Sequence, residues 1–259
     1  MSYGEYLHLD ELLNCQHPRT QQHDEMLFVI IHQATELWMK LAVHELRAAV
    51  EQLRADDLPP VFKMLSRFSR IQSQLIQSWD VLSTLTPSEY LTFRDSLGNA
   101  SGFQSLQYRL IEFYMGNKNA RHVAQFEPGS PAQQRLQDAL RQPSIYQSAL
   151  LLLVKRGFAL SLDTRRDDWS EPYTPDESVA AAWLQVYADT QRYWDLYELA
   201  EKLVDIEDWF RQWRFRHLTT VERIIGSKRG TGGTAGASYL RKALETRLFP
   251  ELWDVRTAL

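Results

Sequence analysis

The sequence contains a single cysteine, Cys15, in 259 residues. An intramolecular disulfide, a CxxCH attachment motif and a cysteine-based zinc site are therefore excluded. Such cysteine usage makes the cytoplasm the default location. Long apolar runs are also scarce, since the most apolar stretch, residues 146–154, is far shorter than the roughly 20 residues of a membrane-spanning helix. We therefore expect no membrane association.

An excess of positive charge is missing too. The formal net charge is −4, with 24% charged and 44% hydrophobic residues. This balance is typical of a globular protein, and its sign argues against general attraction to polyanions. We expect no nucleic-acid partner.

Glycine and proline are absent from three long segments, residues 19–58, 61–86 and 176–225. Apolar residues recur there at three- and four-residue spacing, which predicts long amphipathic helices. No series of alternating strands is evident. The sequence therefore predicts an all-α fold, a single large helical domain over residues 1–259 with a small helical insert at about residues 131–175.

A short helix is predicted between the long ones. Residues 86–89 (Thr-Pro-Ser-Glu) have the pattern of a helix start, with threonine as N-cap, proline at the first position and glutamate at the third. Gly98 supplies a stop. Tyr90 and Arg94 lie four residues apart, so they share one face of this helix.

The glycine-rich loop at residues 230–235 (GTGGTA) formally matches a dinucleotide-binding pattern. That pattern requires a preceding strand and a βαβ unit, whereas here a helix precedes the loop. The spacing does not fit a P-loop either. An ordinary loop is favoured, and its functional version is a loop that closes over a small ligand with backbone N–H groups and the Thr231 hydroxyl.

Two histidines lie on apolar helix faces. His217 continues an apolar stripe, and His32 follows Phe28 by one helical turn. A lone histidine in such a position is more often a core residue than a metal ligand, and spacing alone leaves both readings open. A di-iron bundle is disfavoured because the only Glu-x-x-His spacing found is Glu5 to His8. The two histidines on apolar helix faces, the arginine beside a tyrosine and the glycine loop together suit an apolar, planar cofactor.

Six separated stretches resemble the tryptophan 2,3-dioxygenase family. They are SYGEYLHLDELL, HDEMLFVIIHQATELWMK, LTPSEYLTFRD, SGFQSLQYRLIEF, WRFRHLTTVERIIGSKRGTGG and FPELWDVR. Together they span nearly the whole chain, and their length and order make the match far more specific than any short motif. Residues 120–175 carry little of the resemblance.

The resemblance implies a helical enzyme whose long core helices enclose haem b, active with ferrous iron. It implies a cytoplasmic homotetramer that adds both atoms of O₂ across the indole C2–C3 bond of L-tryptophan. The product would be N-formyl-L-kynurenine, and the reaction would be the first step of tryptophan catabolism through kynurenine.

Matching motifs carry the family's roles onto this chain. His217 would be the axial iron ligand through a neutral imidazole nitrogen, and His32 would accept a hydrogen bond from the indole N–H. Arg94 would bind the substrate carboxylate with its planar guanidinium. Thr231 would meet the ammonium and carboxylate end of the amino acid.

Further residues would complete the pocket. Phe28 and Tyr90 would wall the indole, while Ser101 and Gly102 would lie near the haem edge.

The N-terminal segment, about residues 1–20, has an assembly role in the resembled family. Tyr3, Tyr6 and Leu7 would reach into a neighbouring subunit's pocket, so that oligomerisation completes the site. An amphipathic Tyr-x-x-Tyr-Leu segment is costly to leave exposed and makes a reasonable interface anchor.

Two alternatives remain at the level of sequence. A member of the same haem superfamily could insert one oxygen atom into a tryptophan-like indole. A non-catalytic haem-binding sensor would use His217 without needing Arg94 and Thr231, so the presence of both residues favours an enzyme.

Overall fold

The structure is a computed structural model that describes residues 1–228, 230–231 and 236–259. Within these residues the chain forms α-helices and short 3₁₀ turns, without a strand. The α-helices are α1 (Tyr3–Leu7), α2 (Leu9–Leu12), α3 (His23–Ala55), α4 (Leu58–Leu82), α5 (Pro87–Phe93), α6 (Leu106–Met115), α7 (Pro131–Arg141), α8 (Ile145–Lys155), α9 (Glu177–Ala188), α10 (Trp194–Ile225), α11 (Ala237–Leu244) and α12 (Pro250–Ala258). The all-α prediction is confirmed.

The predicted start of α5 is confirmed in detail. The Thr86 hydroxyl accepts a hydrogen bond from the Glu89 backbone N–H, and the Glu89 carboxylate accepts one from the Thr86 backbone N–H. This reciprocal pair satisfies two N–H groups that a helix start would otherwise leave unbonded. Beyond α5 the chain continues as a 3₁₀ turn, Arg94–Leu97, which Gly98 ends with a φ of +56°.

One prediction of helix extent is wrong. The glycine-free segment 176–225 holds two helices, α9 and α10, separated by residues 189–193. The Asp189 side chain accepts a hydrogen bond from the Arg192 backbone N–H at 3.1 Å. An aspartate that bonds nearby backbone in this way competes with the helix, so the helix is interrupted without glycine or proline.

The core lies where α4 packs against both α3 and α10, with α6, α8, α9 and α12 around them. Helices α7 and α8 lie within the predicted insert, and residues 156–176 contain no helix. The boundaries of that insert and of the N-terminal segment stay predictions. Helix α3 is also long and apolar enough to cross a membrane by length and composition, a criterion that core helices of globular proteins also meet.

A smaller apolar cluster lies apart from the main core. Leu82, Leu85, Tyr90 and Phe93 form its buried centre. Side chains from α3, α4, the 3₁₀ turn after α5 and the end of α10 pack around it: Leu27, Phe28, Ile31, Trp79, Leu97, Ile224 and Ile225. The cluster therefore joins the helix segments that carry His32 and His217.

A buried carboxylate anchors α12 to α10. Glu207 is fully buried and accepts hydrogen bonds from the backbone N–H groups of Leu248 and Phe249, at 2.6 and 3.0 Å, and from the indole N–H of Trp253 at 2.9 Å. Burial raises the pKa of Glu207, and the three donors oppose that rise. The carboxylate thus bonds N–H groups at the start of α12 that would otherwise need water as an acceptor.

Glu207→Gln is expected to lower the free energy of unfolding by about 1–3 kcal/mol, because an amide N–H₂ then faces a buried donor. Urea unfolding measures the change. Asp208→Asn, on the exposed neighbouring residue, is the matched control and should have little effect. Equal stability of the Glu207 variant and the control would contradict the anchoring role.

Candidate functional site

Helices α3 and α5 bring together one group of the predicted site residues. The Phe28 ring lies 4.1 Å from the His32 ring, 5.9 Å from the Tyr90 ring and 5.7 Å from the Phe93 ring, measured between centroids. Arg94 hydrogen-bonds the Tyr90 side chain. An aromatic wall with a guanidinium at its edge results, which suits a flat apolar ring that carries an acidic group.

The protonation of His32 follows from its hydrogen bond. Its Nδ1 lies 2.7 Å from the Phe28 backbone carbonyl oxygen. Because a carbonyl oxygen only accepts, Nδ1 must carry the proton. Burial lowers the pKa of His32, partly offset by this hydrogen bond. The imidazole is therefore neutral near pH 7, and its Nε2 is a hydrogen-bond acceptor.

Helices α4 and α10 form a second aromatic group around His217. The Trp79 ring stacks on the His217 ring at 4.5 Å with an interplanar angle of 10°, and the Trp213 ring lies 5.6 Å away. Burial lowers the pKa of His217 to about 4, with a smaller contribution from the nearby His32. His217 is therefore a neutral imidazole with a lone pair available to a metal.

Two polar atoms beside His217 lack a hydrogen-bond partner among the residues that the structure describes. The indole N–H groups of Trp79 and Trp213 are both buried and unbonded. Because leaving a buried donor unbonded is costly, these N–H groups are well suited to acceptors on a bound molecule.

Thr231 bonds the residue that precedes Ser101 and Gly102. Its hydroxyl donates a hydrogen bond of 2.6 Å to the carbonyl oxygen of Ala100, the residue before Ser101. The Ser101 hydroxyl accepts from the Phe103 backbone N–H at 3.3 Å and starts the 3₁₀ turn Gly102–Gln104. The rest of the predicted glycine loop, residues 232–235, lies outside the described residues.

The three N-terminal site residues stand apart. Tyr3, Tyr6 and Leu7 lie on α1, with exposed fractions of 76%, 69% and 39%. Helix α1 packs on α2 and buries none of its residues. Their predicted role in a neighbouring subunit stays a prediction.

The residue pattern missed Phe93 and Trp79 as site residues. Phe93 contacts Phe28 and Tyr90, and Trp79 covers His217. Phe93 lies three residues from Tyr90, a spacing that could have revealed it. Trp79 is on a different helix from His217, so only the packing of α4 on α10 reveals it.

Metal-binding clusters are missing from the described ranges. No group of three or more His, Cys, Asp or Glu side chains there could hold a metal ion. A metal at His217 would therefore need most of its ligands from another source, as a porphyrin provides.

Known proteins resemble the chain along its length. A family model described as Tryptophan 2,3-dioxygenase matches residues 1–150 and 172–259. The tryptophan 2,3-dioxygenases of Bacillus thuringiensis subsp. konkukian and Bacillus anthracis are each 59% identical over 259 residues, which cover 100% of this chain and 93% of theirs. Tryptophan 2,3-dioxygenase 1 of Ralstonia nicotianae is 58% identical over 259 residues, covering 100% of this chain and 88% of its own.

Protein prepared free of metal should lose stability as the pH falls from 6.5 toward about 4. In this window the unfolded chain takes up a proton that the His217 imidazole of the folded protein does not. His217→Phe keeps a ring against Trp79 and removes the titration. The stability difference between wild type and variant should change by less than about 1.4 kcal/mol per pH unit, since the ring is only half-buried. Urea unfolding between about pH 7 and pH 5 measures this difference, and parallel stability curves would contradict the prediction.

Proposed function

We propose that this chain, which belongs to the tryptophan 2,3-dioxygenase family, oxidises L-tryptophan to N-formyl-L-kynurenine. Both atoms of O₂ are added across the indole C2–C3 bond, and the reaction is the first step of tryptophan catabolism through kynurenine. Family membership favours this activity over indole monooxygenation and over haem sensing without catalysis. The observation that carries the proposal is the occurrence of a neutral imidazole, His217, together with an aromatic wall that has the Arg94 guanidinium at its edge.

The surroundings of His217 fit haem b. A neutral imidazole supplies one nitrogen ligand, and the aromatic residues Trp79 and Trp213 provide an apolar wall. The two unbonded indole N–H groups suit the carboxylates of a porphyrin. His217 would hold the iron, with Ser101 and Gly102 near the edge of the ring. When bound, ferrous haem supplies the binding and activation of O₂.

The protein's own residues orient the substrate. Phe28 and Tyr90 wall the indole, and His32 accepts a hydrogen bond from the indole N–H at Nε2, since Nδ1 is engaged by a carbonyl. Arg94 binds the carboxylate in a bidentate manner, and Thr231 contacts the ammonium and carboxylate end. His32 therefore orients the ring without having to remove a proton. Positioning and exclusion of water supply much of the catalysis.

The active form is proposed to be a cytoplasmic homotetramer. Two exposed surfaces support assembly: the α1 residues Tyr3, Tyr6 and Leu7, which would complete a neighbour's pocket, and an apolar face of α3. The exposed apolar residues of α3 are Met26, Ile30, Leu37, Trp38 and Leu41. Patches of this kind are typical of subunit interfaces. Sedimentation equilibrium should give about four times the 30.3 kDa chain mass.

The activity is tested with purified, haem-loaded and reduced protein supplied with L-tryptophan and O₂. Mass spectrometry should find a product that contains two added oxygen atoms. A product with one added oxygen would establish monooxygenation, and an absence of O₂ consumption would overturn the proposed activity.

Arg94→Ala is expected to raise the KM for tryptophan by roughly 30- to 900-fold, which corresponds to the loss of about 2–4 kcal/mol from a charged bidentate contact. Steady-state kinetics measure the change. Tryptamine, which lacks the carboxylate, is the matched substrate, and its KM should be nearly the same for wild type and variant. An unchanged KM for tryptophan would remove Arg94 from carboxylate binding.

His32→Ala should weaken tryptophan binding by roughly 2- to 13-fold, the loss of one neutral hydrogen bond of about 0.5–1.5 kcal/mol. An analogue with sulfur in place of the indole N–H offers no proton to His32. Its affinity should therefore be similar for wild type and variant. An equal loss for both ligands would show that His32 contributes shape and not a hydrogen bond.

A further inference from the structure

Three charged side chains of α6 and α10 are buried together. Arg109 and Glu112 on α6 and Arg214 on α10 have exposed fractions of 1%, 2% and 3%. Two cations and one anion leave a net positive charge in the interior. Burying charge is expensive unless geometry and hydrogen bonds compensate, so this cluster requires an explanation.

Glu112 is the centre of the cluster. One carboxylate oxygen accepts from Arg109 Nη1. The other accepts from Arg214 Nη2 at 3.2 Å and from Asn117 Nδ2 at 2.9 Å. Each arginine thus has one end bonded to Glu112 and other nitrogens available for bonds elsewhere.

The first arm of the cluster, the Arg109 side chain and its contacts, reaches the 3₁₀ turn Gly102–Gln104. Arg109 Nε and Nη2 both donate to the Phe103 carbonyl oxygen, at 3.3 and 3.1 Å, and its guanidinium lies 4.3 Å from the Phe103 ring centroid. This clamp holds the short turn that follows Ala100. The Ala100 carbonyl oxygen accepts the hydrogen bond from the Thr231 hydroxyl. The Arg109 arm therefore helps to hold the backbone that Thr231 contacts.

The Arg214 arm extends to α11, the helix that follows Thr231. Arg214 Nη1 donates to the Ala243 carbonyl oxygen at 3.1 Å. At the other end of α11, Gly236 packs so closely that a Cβ would lie 2.7 Å from the Lys228 carbonyl oxygen, and its φ is +59°. The start of α11 therefore meets the chain just before Thr231, and fixing α11 fixes that chain segment.

We propose that Glu112 is a positioning residue for the amino-acid end of the substrate, because one of its arginine partners bonds the turn that follows Ala100 and the other bonds α11, the helix that follows Thr231. The inference rests on the proposed role of Thr231 in substrate binding. Glu112 itself acts only through Arg109 and Arg214. Arg214 also precedes His217 by one helical turn on α10, so the same carboxylate relates the Thr231 region to the helix that carries the candidate iron ligand.

Hydrogen–deuterium exchange of wild type, Glu112→Gln and Glu207→Gln tests the arms without reference to activity. Glu207→Gln is the matched control, since it changes another buried carboxylate that serves α12. Glu112→Gln should speed exchange about tenfold or more in residues 101–104 and 237–244, whereas Glu207→Gln should do so near residues 248–253. Identical exchange patterns for the two variants would overturn the proposal.

Milder variants test each arm separately and remain informative if Glu112→Gln folds poorly. Arg109→Lys keeps the charge but loses the paired bonds to Phe103, so faster exchange should be confined to residues 101–104. Arg214→Lys likewise keeps the charge but loses the bond to the Ala243 carbonyl, so it should affect only residues 237–244. Faster exchange spread over the whole chain in both variants would indicate general destabilisation and would contradict the two-arm arrangement.

Kinetics of the haem-loaded protein connect the arms to the substrate. Glu112→Gln should raise the tryptophan KM more than it lowers kcat. Its effect should shrink at least about threefold in a Thr231→Ala background, because positioning a hydroxyl no longer matters once it is gone. Any effect of Glu207→Gln should be the same in both backgrounds. Additive effects of Glu112→Gln and Thr231→Ala would overturn the inference, whereas failure of wild type to form product would overturn the proposed function instead.

Discussion

The packing of α4 against α10 places the Trp79 indole flat on the His217 imidazole, and the other parts of the site depend on this contact. The stack orients the imidazole, and the burial around it lowers the pKa of His217 to about 4. An imidazole that is neutral and fixed in orientation can bind iron without first losing a proton. The packed interior of the helical fold therefore sets both the protonation state and the orientation of the His217 imidazole.

The second imidazole is constrained in a different way. The Phe28 carbonyl fixes the tautomer of His32, which leaves an acceptor at Nε2. The two histidines thus share a neutral state near pH 7 but have different proposed roles, His217 as a metal ligand and His32 as a partner for an indole N–H. Their separation onto α10 and α3 allows a bound substrate to be oriented independently of the iron ligand.

How far the sequence predicts this arrangement depends on whether the signal is local. The long helices and the Thr86–Glu89 cap follow from glycine and proline spacing and from residues three apart, so they are predicted well. The break at Asp189 was missed because an aspartate side chain ends a helix there without either residue. Spacing alone could not distinguish His217 from a core histidine, and the family resemblance supplied that distinction.

Residues that act through tertiary contacts leave no local pattern in the sequence. Trp79 has no sequence relation to His217, and Arg214 belongs to a run of mixed charges whose pattern indicates a solvated face or internal ion pairs. Only the structure shows that Arg214 is buried against Glu112. The net positive charge of that cluster is a property of three residues from two helices, and periodicity within either helix does not reveal it.

Haem binding by His217 is the central claim, and a spectroscopic titration tests it most directly. Wild type should bind one haem per chain with the absorption spectrum of histidine ligation. His217→Ala should lose that spectrum, and added imidazole should restore it by filling the space left by the side chain. A His217→Ala variant that binds haem with the wild-type spectrum in the absence of imidazole would contradict the account.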